Sequence, residues 1–226
     1  MIDFFQQYFP NVIEVQDDII SSTYETLYMV VATSLFSAIF GILLGVIMVV
    51  IDEGGILENK WLYSILGKII NLFRSIPFII LIAVVVPLTR LITGTSIGMN
   101  AAIVPLVIGI VPFYARQIQN ALLEVDPGII EAAQSMGSGP IEIIFRVYLK
   151  EGLTGIIRAS SVTVINLIGL TTMAGAIGSG GLGSLAINKG YNRFHSDITI
   201  VATMLILILV FICQFIGDYF TRKTTH

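Results

Sequence analysis

The chain has 226 residues, 55% of them apolar and 12% charged, with a mean hydropathy of +0.91 and a formal net charge of −3. Soluble domains carry about 45–50% apolar and about 25% charged residues, so this balance excludes an ordinary water-soluble fold and points to an integral membrane protein. The acidic excess offers nothing to a nucleic-acid backbone, and the single cysteine, Cys213, excludes an internal disulfide and a cysteine metal site.

Residues 1–25 mix the aromatics Phe4, Phe5, Tyr8, Phe9 and Tyr24 with Asp3, Glu14, Asp17, Asp18 and Glu25, and hold no Lys or Arg. Such a segment suits the outer membrane interface, as a helix followed by a turn near Pro10-Asn11. It lacks the basic start of a cleavable signal peptide, so the first span is expected to stay as a signal anchor. Charged side chains are absent from 27–51, 75–89, 91–115, 159–188 and 198–217. A spanning helix needs roughly 20 apolar residues, so the expected fold is all-α with five transmembrane helices. Their expected ranges are 27–51, 69–92, 100–118, 155–177 and 198–220, within a single membrane domain over 26–222. The second is short between Arg74 and Arg90 and has to borrow from its flanks, with the arginines snorkelling.

Basic residues near short loops stay in the cytoplasm. Placing loops 52–68 and 116–158 and the C-terminus inside puts nine of the 12 basic residues there and leaves Arg90, Lys189 and Arg193 outside. The N-terminus is then outside and the C-terminus cytoplasmic.

Between the third and fourth spans lies a polar segment, 126–150. Asp126 is a good N-cap and Pro127 suits the first helical position, where a missing N–H costs nothing. A short helix is expected there, with Ile129, Ile130, Ala133 and Met136 at spacings of three and four and Gly137 as its stop. Gly139-Pro140 starts a second helix. Two short helices around a glycine corner form a rigid knob suited to passing force from a soluble machine to a membrane bundle.

No phosphate-cradling Gly-x-x-x-x-Gly-Lys-Ser/Thr occurs, so any ATP is bound by another subunit. The run Gly178-Ser179-Gly180-Gly181-Leu182-Gly183 fits G-x-G-x-x-G, but no βαβ unit surrounds it. It is expected to be a flexible outer corner whose exposed backbone, at Gly180, Gly181 and Gly183, offers an external partner a docking place. His195 and His226 fall on opposite sides of the membrane in this topology, and neither a metal-hydrolase motif nor a Gly-x-Ser-x-Gly occurs. The spans hold no carboxylate of the kind that ion-coupled carriers place near the midplane, which favours an energy source outside the membrane. The fourth span is the most polar, with Ser160, Ser161, Thr163, Asn166, Thr171 and Thr172 ahead of Met173-Ala174-Gly175. These groups either line a translocation path or bond to neighbouring helices. Gly41-x-x-x-Gly45 permits close helix contact.

At Glu131-Ala132-Ala133-x-x-x-Gly137, followed by Val147-x-Leu149, the chain resembles the EAA signature of permease subunits of bacterial ABC importers, in the cytoplasmic loop where that family carries it. Phe73-Arg74-Ser75-Ile76-Pro77, Gly94-Thr95-Ser96-Ile97-Gly98, Asn120-Ala121-Leu122-Leu123-Glu124 and Gly175-Ala176-Ile177-Gly178 are similar to methionine-uptake members, over about residues 69–217. The resemblance implies a homodimer in the bacterial cytoplasmic membrane, two cytoplasmic ATPase subunits that bind ATP and Mg, and an extracytoplasmic methionine-binding protein or lipoprotein. It implies that Glu131, Ala132, Ala133 and Gly137 couple to the ATPases. It further implies a gate near Met173 and Ala174, beside which Asn166, Thr171 and Thr172 are the candidate pathway residues of the same polar span. No catalytic residue, metal or cofactor is expected in the chain itself. The chain departs from the signature at Lys150 and Thr154, where prolines are usual, so the coupling segment is expected to run more continuously into the fourth span. An ABC permease for another amino acid or small peptide, and an ion-coupled carrier, are the competing readings.

Overall fold

A computed structural model describes residues 9–224, and all regular structure among them is helical. Chain order gives α1 (Pro10–Glu14), α2 (Gln16–Val50), α3 (Lys60–Ser75), α4 (Phe78–Thr93), α5 (Met99–Leu123), α6 (Pro127–Ser135) and α7 (Pro140–Ile143). A π-helical turn (Ile144–Tyr148) leads into α8 (Leu149–Glu151) and then α9 (Leu153–Ala174). A glycine-rich turn, α10 (Gly181–Ser184), a second π-helical turn (Leu185–Gly190) and α11 (Ser196–Thr224) follow. By length and composition α2, α5, α9 with its following turn, and α11 are each able to cross a membrane, and α3 with α4 makes a fifth crossing if the bent pair counts as one. Helix is the form that hydrocarbon allows, because each backbone N–H and C=O finds its partner inside the same segment.

Two expected boundaries are corrected. The span over 69–92 is not one helix: Ile76 (φ −76°, ψ 123°) and Pro77 (φ −55°, ψ 130°) are extended, so the chain breaks between α3 and α4. The proline ring crowds the residue before it out of the helical region, and this local clash outweighs the apolar pattern on either side. The first span does not begin at residue 27. α2 starts at Gln16 and runs for 35 residues, about 52 Å against roughly 30 Å of hydrocarbon, so the acidic stretch belongs to the same helix as the apolar one. Pro10 opens α1 rather than a turn, and the chain turns instead at Val15. Phe4, Phe5, Tyr8 and His226 lie outside the described residues.

Contacts divide the chain into two compact units. One takes the described part of Met1–Leu35 with Pro77–Val107 and Val164–Cys213. Its core packs Leu182, Leu185, Ile198 and Ala202 against Val12 of α1, Ile19 of α2 and Val15 between them. The other takes Phe36–Ile76, Ile108–Thr163 and the described part of Gln214–His226. Its core joins Val49 of α2, Ile118 and Leu122 of α5, Ile143 and Val147 of the knob, and Ile156 of α9. Close approach of α2 to α5 depends on glycine: a Cβ on Gly41 would stand 2.6 Å from the Tyr114 ring, and one on Gly45 would stand 2.5 Å from Ile118 and 2.9 Å from the Ala115 carbonyl oxygen.

Gly45→Leu is therefore expected to cost about 1–3 kcal/mol and to lower the unfolding temperature of the purified protein in detergent. Gly169→Ala, on a helix face where an added Cβ meets no neighbour within 4 Å, should leave it unchanged or raise it slightly.

Candidate coupling and translocation surfaces

The knob forms as its residue types dictate. The Asp126 carboxylate accepts from the Gly128 N–H at 2.8 Å, Pro127 fills the first turn, and Gly137 adopts the left-handed conformation (φ +84°) that ends α6. The apolar residues of α6 then divide between two faces. Ile130 and Ala133, three apart, turn inward and pack on the core of the second unit. Ile129, Ala132 and Met136, at spacings of three and four, turn outward, with Met136 79% exposed. The next turns add Ile141, 73% exposed, and Phe145, 66% exposed, beside the Glu142–Arg146 ion pair at 2.6 Å. Glu131 and Gly137 are exposed on the same segment. Ala133, expected at the coupling surface, is instead buried and anchors the helix to the bundle.

Behind the knob, backbone bonding continues into α9. The Gly152 N–H donates to the Tyr148 carbonyl at 2.9 Å, and the Ile156 N–H to the Gly152 carbonyl at 2.9 Å. Proline at 150 would have broken this run, so Lys150 permits the continuity expected of it. Gly152 has a packing role of its own, because a Cβ there would stand 2.6 Å from Leu122.

Along α9 the polar residues do something that neither sequence alternative proposed. The hydroxyls of Ser160, Ser161, Thr163 and Thr172 each donate to the carbonyl four residues back in their own helix, at 2.7–3.1 Å, and Thr171 donates to the Ile168 carbonyl at 2.7 Å. Ser160 also reaches another helix, with 2.6 Å between its Oγ and the Tyr114 hydroxyl, and at the start of α9 the Thr154 hydroxyl donates to the Thr224 carbonyl of α11 at 3.1 Å. Thr171 and Ala174 are buried, so the expected pathway set divides. Val162, Asn166, Gly169 and Met173 are exposed and their spacing places them on one face of α9, while Ile177, in the turn that follows, is exposed as well. Among the described residues the Asn166 amide has no hydrogen-bond partner, and Met173 presents a flexible thioether.

The glycine corner is packed rather than open. Gly181 and Gly183 are buried, and Gly183 lies so near Thr172 that a Cβ would overlap the Thr172 backbone. The Glu25 carboxylate accepts from the Gly181 N–H at 2.6 Å, and Thr26 Oγ1 accepts from the Leu182 N–H at 2.8 Å, which satisfies two donors that α10 itself leaves unpaired. The expectation of exposed docking backbone at Gly181 and Gly183 is corrected accordingly: this backbone faces α2 and α9, and only Gly180 keeps partial exposure. The same first unit ties Asn11 to Asp197 by two bonds of 2.9 and 3.1 Å and Lys189 to Asp18 at 2.5 Å. The sequence marks Asp18 and Glu25 only as interfacial acids and gives no sign of Thr26, since the partners of all three lie more than 150 residues away.

A family model described as "binding-protein-dependent transport system inner membrane component" matches residues 41–226. The chain belongs to this family. It is 48% identical to the methionine import system permease protein of Bacillus subtilis, over 96% of this chain and 97% of that one. It is 44% identical to a probable D-methionine transport system permease protein of Vibrio cholerae, over 93% of each. A chain from the inward-facing MetNI methionine ABC transporter superposes with a TM-score of 0.92 at 41% identity, covering 94% of this chain and 99% of that one. As a member of this family the chain is a multi-pass protein of the inner membrane and a transport subunit rather than an enzyme. The knob and the exposed α9 face are thus features of a binding-protein-dependent permease.

Removing the Glu25 cap tests whether the acidic end of α2 holds the glycine-rich segment. Glu25→Ala should cost about 1.5–3 kcal/mol of local stability and speed amide hydrogen exchange at Gly181 and Leu182 severalfold, while Glu25→Gln, which keeps an acceptor oxygen, should retain part of the protection.

Proposed function

We propose that this chain is the permease subunit of an ATP-driven importer that carries L- and D-methionine across the bacterial cytoplasmic membrane. It works as a homodimer with two cytoplasmic ATPase subunits, which bind ATP and Mg, and an extracytoplasmic methionine-binding protein. The observation that carries this reading is similarity to methionine permeases along almost the entire length of both chains. The N-terminus lies outside and the C-terminus inside, as the distribution of basic residues requires. Segment 126–150 is then cytoplasmic.

In this arrangement Glu131, Ala132 and Gly137 form the ATPase contact together with Ile129, Met136, Ile141 and Phe145, while Ala133 and Ile130 pass displacement to the core behind them. An apolar patch with a charged rim, mounted on a rigid double helix, has the anatomy of a protein–protein hot spot. The pathway runs along the exposed α9 face, with Asn166 as its polar contact and Met173 as a seal that repacks as the path opens. Thr171, Thr172 and Ala174 support that face from behind, keeping their polar groups internally bonded. Gly180, Gly181 and Gly183 hold the outer corner in shape beneath the place where the binding protein docks.

ATP-dependent uptake of labelled L-methionine, in cells lacking their own methionine importers and supplied with this chain, its ATPase and its binding protein, checks the proposal. D-methionine should compete, and glutamine and histidine should not. Met136→Asp or Glu131→Arg should lower uptake by about 10-fold or more while the protein still reaches the membrane. Full uptake by both variants would remove the coupling role, and uptake of a different amino acid would remove the substrate.

A further inference from the structure

In the second unit the end of α5 and the start of α9 border a cleft of about 140 Å³. Its floor is small and tight: a Cβ on Gly155 would stand 3.0 Å from the Ala121 Cβ, with Ala159 beside it. Its rim carries Asn120, Glu124 and Arg158, all exposed. Glu124 and Arg158 line the same cleft, yet among the described residues neither has an ion pair or a hydrogen bond. Nearby, where an exposed acid and base of one copy do meet, as Glu142 and Arg146 do, they close to 2.6 Å.

One acidic and one basic group, unpaired on one face above a floor that admits close backbone approach, make a self-complementary surface. A two-fold axis that sets Glu124 of one copy against Arg158 of the other also sets Arg158 of the first against Glu124 of the second, so a single rotation satisfies all four charges. Lipid tails reject both groups, whereas Gly and Ala floors are what membrane helices use to meet one another. We propose that this cleft is a meeting surface between two copies of the chain, with each copy's Glu124 paired to the other copy's Arg158. The proposal rests on the homodimer stated under Proposed function and adds the residues that set its register and charge specificity.

Charge reversal in separate copies tests it. Glu124→Arg and Arg158→Glu are each expected to lower ATP-dependent uptake about 10-fold or more, because like charges then face each other across the axis. Co-expression of the two single variants should restore up to about half of wild-type uptake, the fraction of mixed dimers in random pairing of two copies. In a mixed dimer each cross-axis pair is Arg with Glu, while each copy on its own carries two like charges. As a second measurement independent of uptake, Glu124→Cys with Arg158→Cys in a Cys213→Ser background should cross-link at dimer mass with a short bifunctional thiol reagent in membranes containing the ATPase, with or without ATP.

Restoration by co-expression together with cross-linking supports the pairing. Three results would overturn it: single variants with full uptake, no dimer-mass product in either nucleotide state, or rescue by the double reversal in one chain without rescue by co-expression. The last would place the pair within a single copy. The wild-type complex is read alongside: a dimeric, active wild type with failed pairing sinks only this inference, and a monomeric wild type sinks the homodimer itself.

Discussion

A chain surrounded by hydrocarbon has to pair its backbone N–H and C=O groups within itself, and where this one leaves the helix it supplies the missing partners from elsewhere in the chain. At the glycine corner α10 begins with donors that no preceding turn can satisfy, and Glu25 and Thr26 of α2 accept from two of them. The Gly98 N–H donates to the Gly178 carbonyl at 3.1 Å, so the corner is tied to the start of α5 as well. At the other polar interruption Asp126 does the equivalent work with its own side chain. A glutamate at the end of an acidic, aromatic stretch is thereby part of the same structural unit as the turn that follows Met173.

The same constraint explains the polarity of α9. A membrane helix with six hydroxyl or amide side chains in thirteen residues, 160–172, invites interpretation as a channel wall. Instead the hydroxyls fold back on carbonyls of their own helix, which hides their polarity and leaves Asn166 as the polar group on the exposed face. Glycine plays the complementary part: Gly45, Gly152 and Gly183 are each placed where a methyl group would collide with a neighbouring element, and each collision lies within one of the two units.

Much of this was legible in the sequence because it is local. Asp126-Pro127 and Gly137 mark the ends of α6 through capping and backbone preference alone, and the apolar stretches that form α5, α9 and α11 show in composition. Spacing also placed Ile129, Ile130, Ala133 and Met136 on the apolar side of α6, but a spacing of three or four does not tell an inward edge from an outward one. That division needed the core formed with Ile143 and Val147. The helix break at Ile76-Pro77 was under-read because hydropathy registers the apolar side chains there and not the steric demand of the proline ring. The contacts of Glu25, Asp18 and Asn11 had no local signature, since each is a pairing across most of the chain length and an acidic residue near a membrane looks the same whether it is paired or solvated.

The central claim is that movement at the knob reaches the exposed face of α9. The direct measurement is a pair of spin-label distances between the two copies in the reconstituted complex, one at Gln134 on the knob and one at Met173, taken without nucleotide and with ATP under conditions that block hydrolysis. The account predicts that the Gln134 pair draws together while the Met173 pair changes in the same step, as closure of the ATPases is passed through α6 and the continuous helix into α9. A Gln134 distance that shortens while Met173 stays fixed would contradict it, because the knob would then move without moving the path.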